Sequence, residues 1–422
     1  MTPPPADELP FLTADVPGLG GHIKARPEDF AVDEVPLYPP SGEGTHVYFR
    51  IEKINLPTMH AVHQIARALG VAAREIGYAG LKDANAVTTQ TLSLEHIDPA
   101  RVTALDLRGI RVLDVARHGN KLKLGHLAGN RFTIKVRDCD PERRPEVESA
   151  MGMLASRGVP NYFGPQRFGT RGDTWLIGLA ILHDDYEAAL AQILGRPGPL
   201  DHGEILKARQ LYDQGDYQAA ADAWPYRFAN ERRVCRALIQ NKGTARKAFR
   251  AVDLNLQRLY LSAFQSHLFN QAVARRINHL DTLWLGDLAW RHPQGAVFEV
   301  QDVDREQPRC AAFEISPTGP LFGHRMRPPT GPQGELEAAL LADAQVSPEQ
   351  WAAVRQRVAS GARRPLRFQP QGWSVDAGSD EHGPYVRLQF QLEAGCYATT
   401  LLREICKSPT TVASLGASEV ES

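Results

Sequence analysis

One carboxylate in this chain sits where chemistry would suit it. Asp83 lies in the run Gly80-Leu81-Lys82-Asp83-Ala84-Asn85-Ala86, beside a lysine and among small residues. The run follows directly on the apolar, Gly-spaced segment Ile76-Gly77-Tyr78-Ala79. A strand that ends in a Gly-flanked loop presents its polar residue at a sheet edge, within reach of a substrate. A carboxylate so placed is a candidate nucleophile or general base. Taken alone, an Asp in such a loop makes turn hydrogen bonds. Residues from distant parts of the chain raise the chemical reading.

The elements that must position Asp83 can be read from periodicity. His22 to Val35 reads as extended, with Phe30, Val32 and Val35 as apolar points. Thr45 to Lys53 alternates as a strand with one buried face. Thr58 is expected to N-cap a helix carrying Met59, Val62, Ile65, Ala66 and Leu69 on one face, closed by Gly70. Glu75–Tyr78 and Val87–Leu94 read as strands flanking the Asp83 loop. Val112–Arg117, Lys121–Leu124 and Arg131–Val136 continue a series of short strands. This is an α+β pattern dominated by an antiparallel sheet, without the strand–helix alternation of a doubly wound fold. Pro141–Arg157 reads as a helix. Helical stretches follow at Tyr186–Leu194, Tyr217–Ala223 and Arg258–Ile277, interrupted by a Pro/Gly-rich belt from Pro317 to Gly334. Extended character returns at Arg367–Val375 and Tyr385–Leu392. A sheet-rich start, a helix-rich middle and a returning sheet point to one domain inserted into another.

With 422 residues the chain is long enough for two domains. Its formal net charge is −1, so bulk charge does not announce a nucleic-acid binder. Local charge is different: Arg101 to Arg144 holds eleven Lys/Arg against five Asp/Glu, and Glu231 to Arg250 seven against one, runs that taken singly also suit a solvated charged face balanced elsewhere. Such clusters can neutralise phosphates. The five cysteines are scattered without a Cys-x-x-Cys pair, which argues against a disulfide framework or a zinc site and fits a reducing compartment. The histidines show no metal-ligand spacing, and Rossmann and P-loop glycine patterns are missing. No cofactor and no metal is expected. The Pro-rich, acidic Met1–Gly21 is not a secretory signal, and no apolar run approaches ~18 residues. A cytoplasmic protein without membrane or protein partners is the expectation.

Four further segments carry a family resemblance together with Gly80-Leu81-Lys82-Asp83. They are Lys24-Ala25-Arg26-Pro27-Glu28-Asp29-Phe30, Gly129-Asn130-Arg131-Phe132, the nine-residue string Asn161-Tyr162-Phe163-Gly164-Pro165-Gln166-Arg167-Phe168-Gly169, and Ala394-Gly395-Cys396-Tyr397-Ala398-Thr399. In order, from about residue 22 to 407, they resemble the TruD family of tRNA pseudouridine synthases. The resemblance implies a tRNA substrate and the conversion of uridine 13 to pseudouridine. Uracil is detached from C1′ of its ribose, rotated and reattached through C5. Asp83 would be the nucleophile, or would remove the C2′ proton; the residues do not choose. A stacked uridine must be extruded to be worked upon. The resemblance implies Phe132 as an aromatic platform and Asn130 as an edge reader. Phe30 and Tyr397 would close on the base, and Lys24 would favour the ionised aspartate. Tyr397 departs from the family's usual Phe, and Ala84-Asn85 from a basic and a His-like residue. Read without the family, Lys24 is an ordinary surface lysine and Phe132 an inward residue of its strand. Lys82 either touches phosphate or flanks the loop, and Arg167 either holds a junction or touches RNA.

The implied architecture is an antiparallel-sheet catalytic domain, residues 1–157 and 368–422, with a large inserted α/β domain at 158–367. Leu261 to Asn270 is similar to a family helix in that insertion. Its basic end, Arg232 to Arg250, is a candidate grip on the tRNA backbone. Two other function classes are open to the same residues: a tRNA-docking factor with a structural Asp83, and a hydrolase, which lacks a visible partner base or metal.

Overall fold

A computed structural model describes residues 9–292, 294–354 and 360–408. Part of the N-terminal stretch read above as no signal therefore lies outside the described residues. The chain divides into two compact units. Of the described residues, one unit comprises Phe11–Val159 and 368–408; the other comprises Leu9, Pro10 and Pro160–Arg367.

The first unit is built on an eight-stranded sheet. Its strands are β1 (Phe30–Pro36), β2 (His46–Ile54), β3 (Gly77–Tyr78), β4 (Val87–Glu95), β5 (Ile110–His118) and β6 (Leu127–Arg137), joined by Gln371–Asp380 and Gly383–Glu393. Across the sheet the order is Gln371–Asp380, Gly383–Glu393, β6, β1, β4, β2, β5, with β3 on β4. Only β1 with β4 is parallel among these pairings. Helix α1 (Thr58–Leu69) lays Ala61, Val62, Ile65, Ala66 and Leu69 onto Val47, Phe49 and Ile51 of β2 and Leu92 and Leu94 of β4. Each large aliphatic side chain buried there contributes about 1.5–3 kcal/mol. Gly70 closes α1 in the left-handed conformation that glycine adopts at no steric cost. The short helix α2 (Pro99–Thr103) lies against β5, and α3 (Arg144–Arg157) against Gln371–Asp380. The last described helix, Ala398–Cys406, packs on α3.

Three expectations change. Pro57, not Thr58, occupies the N-cap of α1. The Thr58 hydroxyl instead donates to Gln90 Oε1 at 2.9 Å and accepts the Lys82 N–H at 2.9 Å, tying the Asp83 loop to the sheet. Lys121–Leu124 is irregular, because the Leu122 N–H donates to the Ser93 hydroxyl at 2.9 Å rather than to a neighbouring strand. The Pro317–Gly334 belt is not purely a breaker. Pro317 and Pro320 sit inside the strand Ile315–Leu321, where a proline carbonyl still accepts: Leu366 N–H donates to Pro317 O at 2.9 Å.

The second unit is mainly helical, with Leu190, Trp224, Phe249, Phe264 and Trp351 in its core. It also carries a four-stranded antiparallel sheet ordered Ala362–Pro365, Ile315–Leu321, Leu288–Arg291, Ala296–Glu299. Among the described residues no helix is long and apolar enough to cross a membrane.

Candidate active site

Strand register assembles the site. Phe390, Phe132, Val32, Thr88, Lys53 and Ile110 stand opposite one another on six neighbouring strands. Opposed residues share a face of the sheet. The adjacent row on that face is Leu392, Asn130 and Glu34, and on the other side runs Leu388, Ile134 and Phe30. Residues from both ends of the chain are thus laid side by side by hydrogen bonding alone. Gly129 permits the close approach here: a Cβ on it would lie 2.1 Å from the Leu392 carbonyl oxygen.

The Asp83 loop runs between β3 and β4 and is anchored onto this face. Asp83 Oδ1 accepts from Lys24 Nζ at 2.8 Å. The Lys24 side chain is 5% exposed and that of Asp83 23%, so the carboxylate is fixed by a buried cation and is itself part-exposed. Lys24 is therefore not the surface lysine that it resembles in isolation. Its ammonium also lies 4.4 Å from the centroid of the Phe30 ring. Its backbone takes a left-handed φ of 56°, rare for a side-chain-bearing residue and typical of positions held by their surroundings.

Phe30 and Phe132 meet edge-on with centroids 6.3 Å apart, and Phe132 stacks on Phe390 at 5.3 Å. Phe132 is thus an inward residue of its strand, 6% exposed, packed between two other rings. Asn130 Oδ1 is buried with no hydrogen-bonding partner among the described residues. A buried acceptor left so costs about 1–3 kcal/mol. Tyr397 stands at the N-terminus of helix Ala398–Cys406, 45% exposed. It follows the turn that leaves Glu393, the residue paired with Gly129.

Lys82 does not face phosphate. Its ammonium lies 2.8 Å from Glu34 Oε2, both side chains almost fully buried, while Glu34 Oε1 accepts the Thr91 N–H at 3.0 Å. Lys82 flanks the loop and pins it to β1. Arg167, in the second unit, donates to the hydroxyls of Ser262 and Ser266 and lies over the Phe163 ring.

Two features escaped the sequence reading. Asp29, next to Phe30, is held by Arg137 through two hydrogen bonds of 2.7 and 2.8 Å, and Arg137 also donates to both carboxylate oxygens of Asp380. No local signal links residues 108 positions apart. The second is Lys53, a fully buried lysine under the loop. A signal for it existed: Lys53 continues the inward phase of Val47, Phe49 and Ile51.

A closely similar fold occurs in a crystal structure described as tRNA pseudouridine synthase D (TruD) from Methanosarcina mazei. The TM-score is 0.86 at 30% identity, covering 95% of this chain and 97% of that one. Curated proteins named tRNA pseudouridine synthase D are similar along nearly their whole length. That of Geobacter metallireducens is 46% identical over 400 residues, 95% of this chain and 98% of the relative. That of Syntrophotalea carbinolica is 44% identical over 398 residues, 94% and 99%. Fold and similarity define an isomerase of the pseudouridine synthase class. The family profile described as tRNA pseudouridine synthase D (TruD) matches residues 8–405, and the chain belongs to that family.

Proposed function

We propose that this protein isomerises uridine 13 of tRNA to pseudouridine, with Asp83 as the nucleophile acting on a flipped-out base. The Lys24–Asp83 pair carries the reading: a part-exposed carboxylate fixed at 2.8 Å by a buried ammonium, on the same sheet face as Asn130, whose Oδ1 is buried without a hydrogen-bonding partner among the described residues. The reaction breaks the C1′–N1 bond, forms C1′–C5 and exchanges the C5 proton for one on N1. No electrons are gained or lost, so a carboxylate that can bond and leave suffices. The Asn130 carboxamide offers an acceptor and donors, as the N3–H and carbonyl edge of uracil require. Phe30 and Phe132 supply the apolar floor, and Tyr397 the exposed ring that closes over it. The test is to incubate purified protein with unmodified tRNA transcript and map the product. One pseudouridine at position 13 is expected; conversion at another position, or none, would refute the reading.

Grip on the tRNA belongs in this proposal to the basic end of the insertion. In the second unit Arg236, Lys242, Arg246, Lys247 and Arg250 are all exposed. In the same unit Tyr226 is 89% exposed, with Arg232 over its ring. Cations with an exposed aromatic form a backbone-tracking, base-stacking surface. Replacing Arg246, Lys247 and Arg250 by Gln should weaken tRNA binding and flatten its log–log salt slope by about 2–3. An unchanged slope would remove the patch from the interface.

A further inference from the structure

We propose that Lys53 is a positioning residue of the reaction, its buried ammonium holding the backbone of Asp83 in the orientation from which the carboxylate works. The proposal rests on the reading of Asp83 as the reacting group. Lys53 Nζ lies 2.6 Å from the carbonyl oxygen of Leu56, 2.8 Å from that of Asp83 and 3.4 Å from that of Lys82. Three acceptors meet the three N–H donors of one ammonium. The loop between β3 and Val87 has no regular ladder of its own. Its position is set by this lysine from β2, by Thr58 from α1 and by the Glu34–Lys82 pair from β1. Of these three, Lys53 is the one that donates to the reacting residue's own carbonyl.

The charges around Lys53 alternate. Asp83 and Lys82 face it from the loop; Lys24 is the partner of Asp83 and Glu34 that of Lys82. Burial pushes the Lys53 amine down to about 8, against the pull of Asp83 and with the help of Lys82. A neutral amine keeps only two N–H donors, so one carbonyl of the three loses its partner when the proton leaves. The chemical step then weakens as pH rises through about 8, while tRNA binding does not depend on this group. Stability moves the other way. The folded value lies below the unfolded 10.5, so between the two the unfolded chain binds more protons, and folding gains as pH rises. Loss of the Lys53 proton by itself therefore lowers the rate without lowering stability.

The experiment compares kcat and KM for tRNA from pH 6.5 to 9.5 in the wild type and Lys53→Met. The wild-type kcat should fall about tenfold per pH unit above the midpoint, with KM steady. The variant should lose roughly 100-fold in kcat at pH 7, as a misplacement of about 1 Å would do, and its remaining rate should be flat across the range. Wild-type kcat in the variant, or an alkaline limb that persists in it, overturns the proposal. If the variant does not fold, wild-type protein labelled at lysine Cε decides by NMR: one lysine must titrate with the midpoint of kcat, and a mismatch overturns the proposal. Asp83→Asn with normal activity would instead sink the reading of the site itself, whatever Lys53 does.

Discussion

Asp83→Asn should abolish pseudouridine formation while leaving the protein folded and able to bind tRNA. Asparagine keeps the size of the side chain and an oxygen for Lys24 Nζ to donate to. The peptide contact with Lys53 is untouched, because it uses the backbone carbonyl. What disappears is the anionic oxygen that can bond to the substrate and then leave, or take its proton. Loss of a nucleophile in other enzymes costs several orders of magnitude in rate, so a fall of at least roughly 10⁴-fold in kcat is expected. Tritium release from tRNA labelled at C5 of uridine reads the step directly, since that proton is lost in the product. Wild-type release by the variant would reject Asp83 as the reacting group. If neither protein releases tritium and both bind tRNA, the docking-factor reading of the same scaffold takes over.

The largest expected effect on stability comes from Arg137→Met. Arg137 and Asp29 are both buried, and Asp29 would be left as an uncompensated buried carboxylate. Breaking a buried pair by removing one partner costs about 3–5 kcal/mol. For a unit of this size that lowers Tm by about 10 °C. Arg137 also holds the Asp380 carboxyl well below its usual range, with Lys135 adding to the effect. That share of stability is present above the unfolded value of 3.8 and is lost only as pH falls well below it. Asp29 lies between Lys24 and Phe30 in the chain, so kcat should fall with stability. The double variant Asp29→Asn/Arg137→Met should recover part of the loss, since no buried charge remains alone. A single variant with wild-type Tm would show that the pair is not buried as described.

Asp83, β6 and α1 were legible because their signals are local. A Gly-flanked polar loop, an alternating strand and a stripe at helical spacing each declare themselves within a dozen residues. The α+β class followed from the same signals. Lys24 and Lys82 were harder. Their types suit solvent or phosphate, and only folding shows that each is matched to one buried or part-buried carboxylate. Asp29 with Arg137 is invisible to any local pattern. Thr58 was read as a cap because its type favours one, but its hydroxyl bridges Gln90 and the Lys82 N–H, a competition decided by tertiary contacts. Lys53 lay in plain view as a charge in an inward phase, the kind of local violation that marks a strained or functional position.

The pairing of Gly383–Glu393 with β6 also sets a schedule for biosynthesis. When β6 leaves the ribosome, the strand that must cover its open edge lies almost 250 codons downstream. The mainly helical insertion, with its own core, is translated in the interval. Until the final strands emerge, β6 presents unpaired amides and the bare ring of Phe132 to whatever is nearby, which is the condition under which nascent chains recruit chaperones or mispair. The sheet face that carries Phe132 and Asn130 is thus among the last parts of the molecule to be completed.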